Sequence, residues 1–122
     1  MPVLIVYGMP STVEQDRLET LIAQLQRIVS AASTLSPSEV SVFFPSDIVQ
    51  RGLGEELICF IYGFSERPEG ATRNQIAEAI MSFFKGVAMT CLGLNQCYKI
   101  EVFCDSAIDS FASCNLSRVS QL

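Results

Sequence analysis

The 122-residue sequence contains no histidine. Without an imidazole, the chain cannot use Ser-His-Asp or Cys-His catalysis in their usual forms, and it cannot build a histidine-based metal site. Its five cysteines include no Cys-x-x-Cys pair. An odd number of cysteines in a chain without a recognisable secretion signal predicts free and mostly buried thiols. We therefore expect no metal, no cofactor and no catalytic cysteine.

Clustered basic residues and long apolar runs are also lacking. The chain has 8 lysines and arginines against 13 aspartates and glutamates, which gives a net charge of −5. Nucleic-acid binding requires clustered Lys and Arg, so no nucleic-acid partner is predicted. No run approaches a membrane span, and the first apolar run lacks the length and basic flank of a signal peptide. We expect one cytoplasmic domain over residues 1–122, with no membrane partner.

The apolar run over residues 2–7, closed by Gly8, predicts a buried strand. Removal of the initiator methionine, which is usual before a small residue, would leave Pro2 as a free secondary amine. An α-amino group titrates near pH 8 (about 7.7–8.0), and burial lowers its pKa further, so this nitrogen would be a neutral base at physiological pH. The alternative is an ordinary proline at the start of a strand, where no backbone donor is needed.

Two helices and three further strands are predicted downstream. Capping boxes at Ser11–Glu14 and Thr72–Gln75 predict the two helix starts. Each helix has one apolar face at helical spacing, formed by Leu18, Leu21, Ile22, Leu25, Ile28, Val29 and Ala32 in the first and by Ile76, Ile80, Phe83, Phe84, Val87 and Cys91 in the second. Strands are predicted over residues 40–44, 57–63 and 98–104.

The two halves of the chain repeat one another. Ile-Val-Tyr-Gly at residues 5–8 recurs as Phe-Ile-Tyr-Gly 55 positions later (62 − 7), and Val-Ser-Val-Phe at 40–43 recurs as Ile-Glu-Val-Phe 60 positions later (100 − 40). Each half, about 2–45 and 56–105, is a strand, a helix and a strand, and a right-handed crossover would make its two strands parallel. We predict an α+β fold of two β-α-β repeats related by a pseudo-twofold, with a four-stranded mixed sheet and both helices on one face.

The first and third strands are apolar at nearly every position, so neither face of the sheet should be exposed to water. Two helices cover one face only. The other face must therefore be covered from outside the subunit, which predicts an obligate homo-oligomer.

Together, Pro2, the repeats, the length and the implied oligomer resemble the tautomerase superfamily, and the layout is most similar to macrophage migration inhibitory factor and to bacterial isomerases with fused repeats. The resemblance covers nearly the whole chain and includes Phe43-Phe44-Pro45, Gly52-Leu53-Gly54, Gly70-Ala71-Thr72-Arg73-Asn74 and Asp105-Ser106-Ala107. It implies a homotrimer with pockets between subunits and a small-molecule substrate or ligand. It also implies that the Pro2 amine moves a proton between the enol oxygen and carbon of an α-keto acid, as general base and then acid.

The family's substrate-binding cations are only partly matched. The loop after the first strand, where short-chain members have an arginine, is Met9-Pro10-Ser11-Thr12, and their second arginine falls at Ser41. The lysine expected before the second strand has no match around Ser33-Thr34.

One cation is matched by position, because Arg67 lies where migration inhibitory factor has a lysine, and Ser65 would supply a neighbouring backbone group. Arg51 is a further candidate because its loop lies nearby. Either arginine could instead be solvated loop surface. By their matching repeat positions, Tyr7 and Tyr62 are predicted to pack in the core, and Glu101 is predicted to be an edge or barrel-rim charge.

Three functions fit these observations. The first is a tautomerase-like enzyme that uses Pro2, and the second is a non-catalytic trimeric binding or interaction protein of the same fold, which the missing arginines favour. The third is a ferredoxin-like small-molecule sensor with the same order of elements. The position of Pro2 and the apolar sheet faces argue against the sensor. Whether the chain is an enzyme stays open at this point.

Overall fold

The computed structural model describes residues 2–46, 56–66, 70–93 and 99–104. Four strands and two helices follow one another as predicted, with the bounds β1 Val3–Tyr7, α1 Gln15–Ala31, β2 Ser41–Phe43, β3 Glu56–Tyr62, α2 Arg73–Val87 and β4 Lys99–Cys104. A 3₁₀ turn, Pro37–Glu39, precedes β2. No helix of the described residues is long and apolar enough to cross a membrane.

The strands form one mixed sheet in the order β2-β1-β3-β4. The two central strands, β1 and β3, are antiparallel, while β2 lies parallel to β1 and β4 lies parallel to β3. Each parallel pair is joined through a helix, as a parallel connection requires. The predicted pair of β-α-β units in a four-stranded mixed sheet is confirmed.

The register confirms the pseudo-twofold residue by residue. Ile5 pairs with Phe60, which is also its repeat equivalent, so the axis passes through this pair. Ile5 pairs with Phe43 in the first half, and Phe60 pairs with Phe103 in the second. Residues related by the two repeat spacings therefore occupy equivalent positions, and one rotation of 180° superposes either half on the other.

The core lies between the two helices and one face of the sheet. Alternate residues of β1 and β3 are fully buried, as expected for a strand with period-two side-chain directions. The helices contribute their apolar faces, with Leu21, Leu25 and Val29 from α1 and Ile76, Ile80 and Phe84 from α2. The same cluster includes Leu4, Val6, Leu57, Cys59 and Ile61 from the sheet.

One predicted helix start is confirmed and the other is wrong. Thr72 accepts a hydrogen bond from the Gln75 backbone N–H (3.2 Å), and the Gln75 side chain accepts one from the Thr72 N–H (2.8 Å). Ser11 forms no such box, because a turn closed by the Val13 N–H and the Pro10 carbonyl (3.2 Å) moves the helix start to Gln15.

The face of the sheet opposite the helices, which we call the open face, is formed by the other alternating residues: Val3, Ile5, Tyr7, Ser41, Phe43, Glu56, Ile58, Phe60, Tyr62, Lys99, Glu101 and Phe103. Its aromatic side chains include Phe43 at 55% and Phe103 at 47% exposure. Tyr7 and Tyr62 lie here as well, so their predicted packing in the subunit core is wrong. Their alternation with Val6 and Ile61, which face the helices, gives the physical reason.

Candidate functional site

Pro2 lies immediately before β1 and is fully buried. Its carbonyl oxygen accepts a hydrogen bond from the Ser41 backbone N–H (3.1 Å), which joins it to the start of β2. Because β1 is a central strand, this residue lies at the middle of one sheet end and not at an edge. A proline is tolerated there because the first residue of a strand needs no donor to the ladder.

The C-terminal end of β3 lies beside Pro2, because β3 is antiparallel to β1. The register that pairs Val3 with Tyr62 places Pro2 beside Gly63, and the chain then continues through buried Phe64 to exposed Ser65. Gly63 has a left-handed conformation (φ +75°), which turns the chain at this point. The structure thus brings Ser65 to the Pro2 end of the sheet, whereas Arg67 and Arg51 lie outside the described residues.

An ion pair that the sequence analysis did not identify connects this loop to α2. Glu66 accepts a hydrogen bond through Oε1 from the Arg73 backbone N–H (2.8 Å), and the same oxygen lies 3.8 Å from Arg73 Nε. A carboxylate at the first residue of a helix also interacts favourably with the helix dipole. The segment carrying Ser65 is therefore held at the N-terminus of α2. In the sequence, the only indication of this ion pair is an acidic residue seven positions before the first residue of the helix.

A cavity of about 570 Å³ lies at the opposite end of the sheet. Residues 8–13 after β1 and residues 44–46 after β2 form its walls. Six residues of extended chain, or about 20 Å, separate it from Pro2. Among the described residues that line it, the polar side chains are Ser11, Thr12, Gln15 and Ser46, and none is ionisable. These side chains can donate and accept hydrogen bonds, but they cannot act as an acid or a base near neutral pH.

The structure makes Cys59 a poor candidate for a catalytic nucleophile. Burial, with a smaller contribution from nearby Cys104, raises the pKa of the Cys59 thiol to about 12. A thiol with so high a pKa is protonated at neutral pH and is a poor nucleophile. Among the described residues, no three His, Cys, Asp or Glu side chains converge on a point that would hold a metal ion.

The open face carries a cluster of aromatic rings around Phe60. Its ring stacks on Phe103 (5.3 Å between centroids) and Tyr62 (6.0 Å), and Tyr7 approaches edge-on (6.0 Å). Glu101 lies on β4, an edge strand of the described sheet, and its Oε1 is 3.3 Å from Lys99 Nζ, an ion pair that agrees with the predicted edge charge. A contiguous aromatic surface of this kind is typical of an interaction surface.

Comparison with solved structures gives matches along nearly the whole chain. The asymmetric trimers of wild-type R7 fused 4-OT and F6 fused 4-OT superpose with TM-scores of 0.58 and 0.60 at 15% and 14% identity, and each match covers 98% of this chain and 99% of the other. N1, a member of the cis-3-chloroacrylic acid dehalogenase family, matches with a TM-score of 0.56 at 12% identity, over 93% of this chain and 81% of its own. No family model and no curated protein matches the sequence. At these identities the likeness shows a common fold, and the predicted fold is confirmed.

Proposed function

We propose that this chain, whose fold is that of the tautomerase superfamily, is an isomerase-like protein that uses the Pro2 nitrogen as a general acid and base on an enol or α-keto acid. The observation that carries the proposal is the burial of Pro2 at the start of a central strand. Burial disfavours an ammonium ion, so a free Pro2 amine would be neutral and ready to accept a proton near pH 7. The ring would hold its lone pair in one direction, which positioned proton transfer needs.

The substrate carboxylate needs a cation that the described strands do not supply at this end. Among the described strand residues Lys99 is the only cation, and it begins β4, at the end of the sheet away from Pro2. Arg67, two residues after Ser65, is the proposed carboxylate ligand, with a backbone group of Ser65 beside it and Arg51 as a second candidate. A guanidinium suits this role because its two parallel N–H donors match a carboxylate.

We further propose that the chain is a single domain over residues 1–122 that assembles as a homotrimer through the open face. The exposed rings of Tyr7, Phe43, Tyr62 and Phe103 support this, because burying them removes aromatic surface from water. The trimers formed by R7 and F6 fused 4-OT provide a precedent for three copies of this fold. The substrate pocket would then lie between subunits, near Pro2.

The test is the ketonisation of the enol form of phenylpyruvate, followed by loss of enol absorbance. The Met1-trimmed protein, verified by intact mass, should exceed the buffer rate, and Pro2→Ala should lower the enzymatic rate by about 100-fold or more. Because alanine keeps a primary amine, a chain with an uncleaved N-terminal extension is the sharper comparison. It retains Pro2 but converts its nitrogen to an amide, and it should be inactive.

Pro10→Ala is the matched control, since Pro10 lines the cavity at the other end of the sheet. Its rate should stay within about twofold of the wild type. Equal rates in the trimmed and extended proteins would refute Pro2 as the base. Absence of activity in every form would instead support a non-catalytic trimeric binding protein, which the missing family arginines in the loop over residues 9–12 and at Ser41 favour.

A further inference from the structure

Glu66 connects the loop after β3 to the first residue of α2. Its Oε1 accepts a hydrogen bond from the Arg73 backbone N–H at 2.8 Å, across seven residues of chain. The same oxygen lies 3.8 Å from Arg73 Nε, with the two side chains 40% and 42% exposed. An exposed ion pair at that distance contributes little, whereas a short hydrogen bond from an amide to a carboxylate is charge-assisted. The contact with the backbone N–H is therefore the one that holds the loop.

The start of α2 is stabilised without this bond. Thr72 caps the Gln75 backbone N–H, and the Gln75 side chain accepts a hydrogen bond from the Thr72 N–H, so the helix has its own capping box. Arg73 is the first residue of the helix, where a backbone N–H has no partner within the helix. Glu66 therefore binds a donor that the helix itself does not use, and its bond restrains the loop.

The restrained loop carries Ser65. On the other side of Ser65 the chain is held by Phe64, which is 1% exposed, and by the turn at Gly63 (φ +75°) beside Pro2. Ser65 thus lies between a buried ring and a hydrogen-bonded carboxylate, each one residue away. Its backbone is restrained at the Pro2 end of the sheet, although the residue is exposed.

We propose that Glu66 is a positioning residue for the reaction at Pro2, because its bond to the Arg73 N–H holds the Ser65 backbone where it can bind the substrate carboxylate. This inference rests on the proposed function and adds a residue that acts only through Ser65. Without the bond, the Ser65 backbone would have to be ordered each time substrate binds. Ordering one residue's backbone weakens binding by about tenfold. The loss should appear in KM and not in kcat, because bound substrate and transition state lose it equally.

Steady-state ketonisation of the enol form of phenylpyruvate by the Met1-trimmed protein tests this. Glu66→Ala should raise KM about tenfold and keep kcat within about twofold. Glu66→Gln keeps an oxygen that accepts from the N–H, so its KM should lie within about threefold of the wild type. Glu78→Ala removes an exposed carboxylate from α2 as the matched control, and it should change neither constant.

Substitutions at Arg73 distinguish its backbone N–H from its guanidinium. Arg73→Ala keeps the N–H and should raise KM by less than about twofold. Arg73→Pro removes the N–H at the helix position that favours proline, and the extended backbone of Thr72 (φ −76°, ψ 166°) is compatible with a following proline. Arg73→Pro should match Glu66→Ala, and the double variant should be no worse than either, because both changes remove the same bond.

Far-UV circular dichroism checks that each variant is folded, and if Arg73→Pro is not, the comparison of Glu66→Ala with Glu66→Gln decides. An unchanged KM in folded Glu66→Ala, or an equal rise in Glu66→Ala and Glu66→Gln, would overturn the inference and leave the proposed function standing. A loss confined to kcat would also overturn it. A wild type without turnover would refute the proposed function, and the inference with it.

Discussion

Replacement of Gly8 by alanine should be among the most destabilising single changes in the described structure. Gly8 follows β1 with φ +85°, a conformation that costs an L-residue about 1–2 kcal/mol. A Cβ added there would overlap the carbonyl oxygen of Glu56 and would lie 3.0 Å from its carbonyl carbon. Both atoms belong to the backbone of β3, so relief requires a shift of a central strand, at a further cost of about 1–3 kcal/mol. Together these two contributions should lower the free energy of unfolding by about 2–5 kcal/mol.

Substitutions at two other glycines distinguish the cost of the positive φ from the cost of the steric overlap with β3. Gly93 also has a positive φ (+68°), but an added Cβ meets no atom within 4 Å, so Gly93→Ala should cost only about 1 kcal/mol. Gly86 lies within α2 with equally open space, and Gly86→Ala should raise stability by about 0.5–1 kcal/mol through helix propensity.

Urea unfolding followed by far-UV circular dichroism measures all three variants, and tryptophan fluorescence is excluded because the chain has no tryptophan. The midpoints should fall in the order Gly86→Ala, wild type, Gly93→Ala, Gly8→Ala, at equal protein concentration. If Gly8→Ala is no less stable than Gly93→Ala, the close approach of the loop after β1 to Glu56 is not as described. The reasoning from strand contact would then be refuted.

Two further predictions concern a thiol and a helix cap. Because burial holds the pKa of Cys59 near 12 while the unfolded thiol titrates near 9.0, the unfolded chain ionises first, and stability should fall as pH rises above 9. The loss at pH 10, measured by urea unfolding, should be about 1.4 kcal/mol, and Cys59→Ala should lack this part of the pH dependence. Identical pH dependence in the two proteins would contradict this prediction. Thr72→Ala should cost about 1 kcal/mol because Thr72 caps the Gln75 N–H, while Ser11→Ala, outside any cap, should cost less than half as much. Equal losses of unfolding free energy in the two variants would refute the conclusion that Thr72 caps its helix and Ser11 does not.

The fold was predictable because two independent signals agreed. Apolar periodicity predicted the helices and strands, and the repeat spacings predicted the pseudo-twofold. The register itself, which pairs Ile5 with both Phe43 and Phe60, comes from the structure. Local motifs were less reliable. Ser11–Glu14 has the composition of a capping box, yet a turn through Pro10 and Val13 competes for the same residues, and no local pattern decides between them.

The site was predictable only in part. The burial of Pro2 at the start of a central strand follows from the first apolar run, whereas the cavity at the opposite end is built from two segments more than 25 residues apart in sequence. Sequence order gives no distance between such segments. The ion pair between Glu66 and Arg73 was missed for a different reason, because an exposed ion pair leaves no periodic pattern in the sequence.

The pseudo-twofold also limits how many sites one subunit can have. The repeat equivalent of Pro2 is Leu57, which is fully buried within β3 and joined to residues on both sides, so its nitrogen is an amide. An amide nitrogen is not a base near neutral pH, and only the Pro2 end can gain a free amine. The cavity beside Gly8 lies at the end of the sheet that the rotation exchanges with the Pro2 end, and its described lining residues supply no group for the proposed chemistry. Under the proposed function, the β-α-β unit is therefore repeated within the chain but the reactive amine is not.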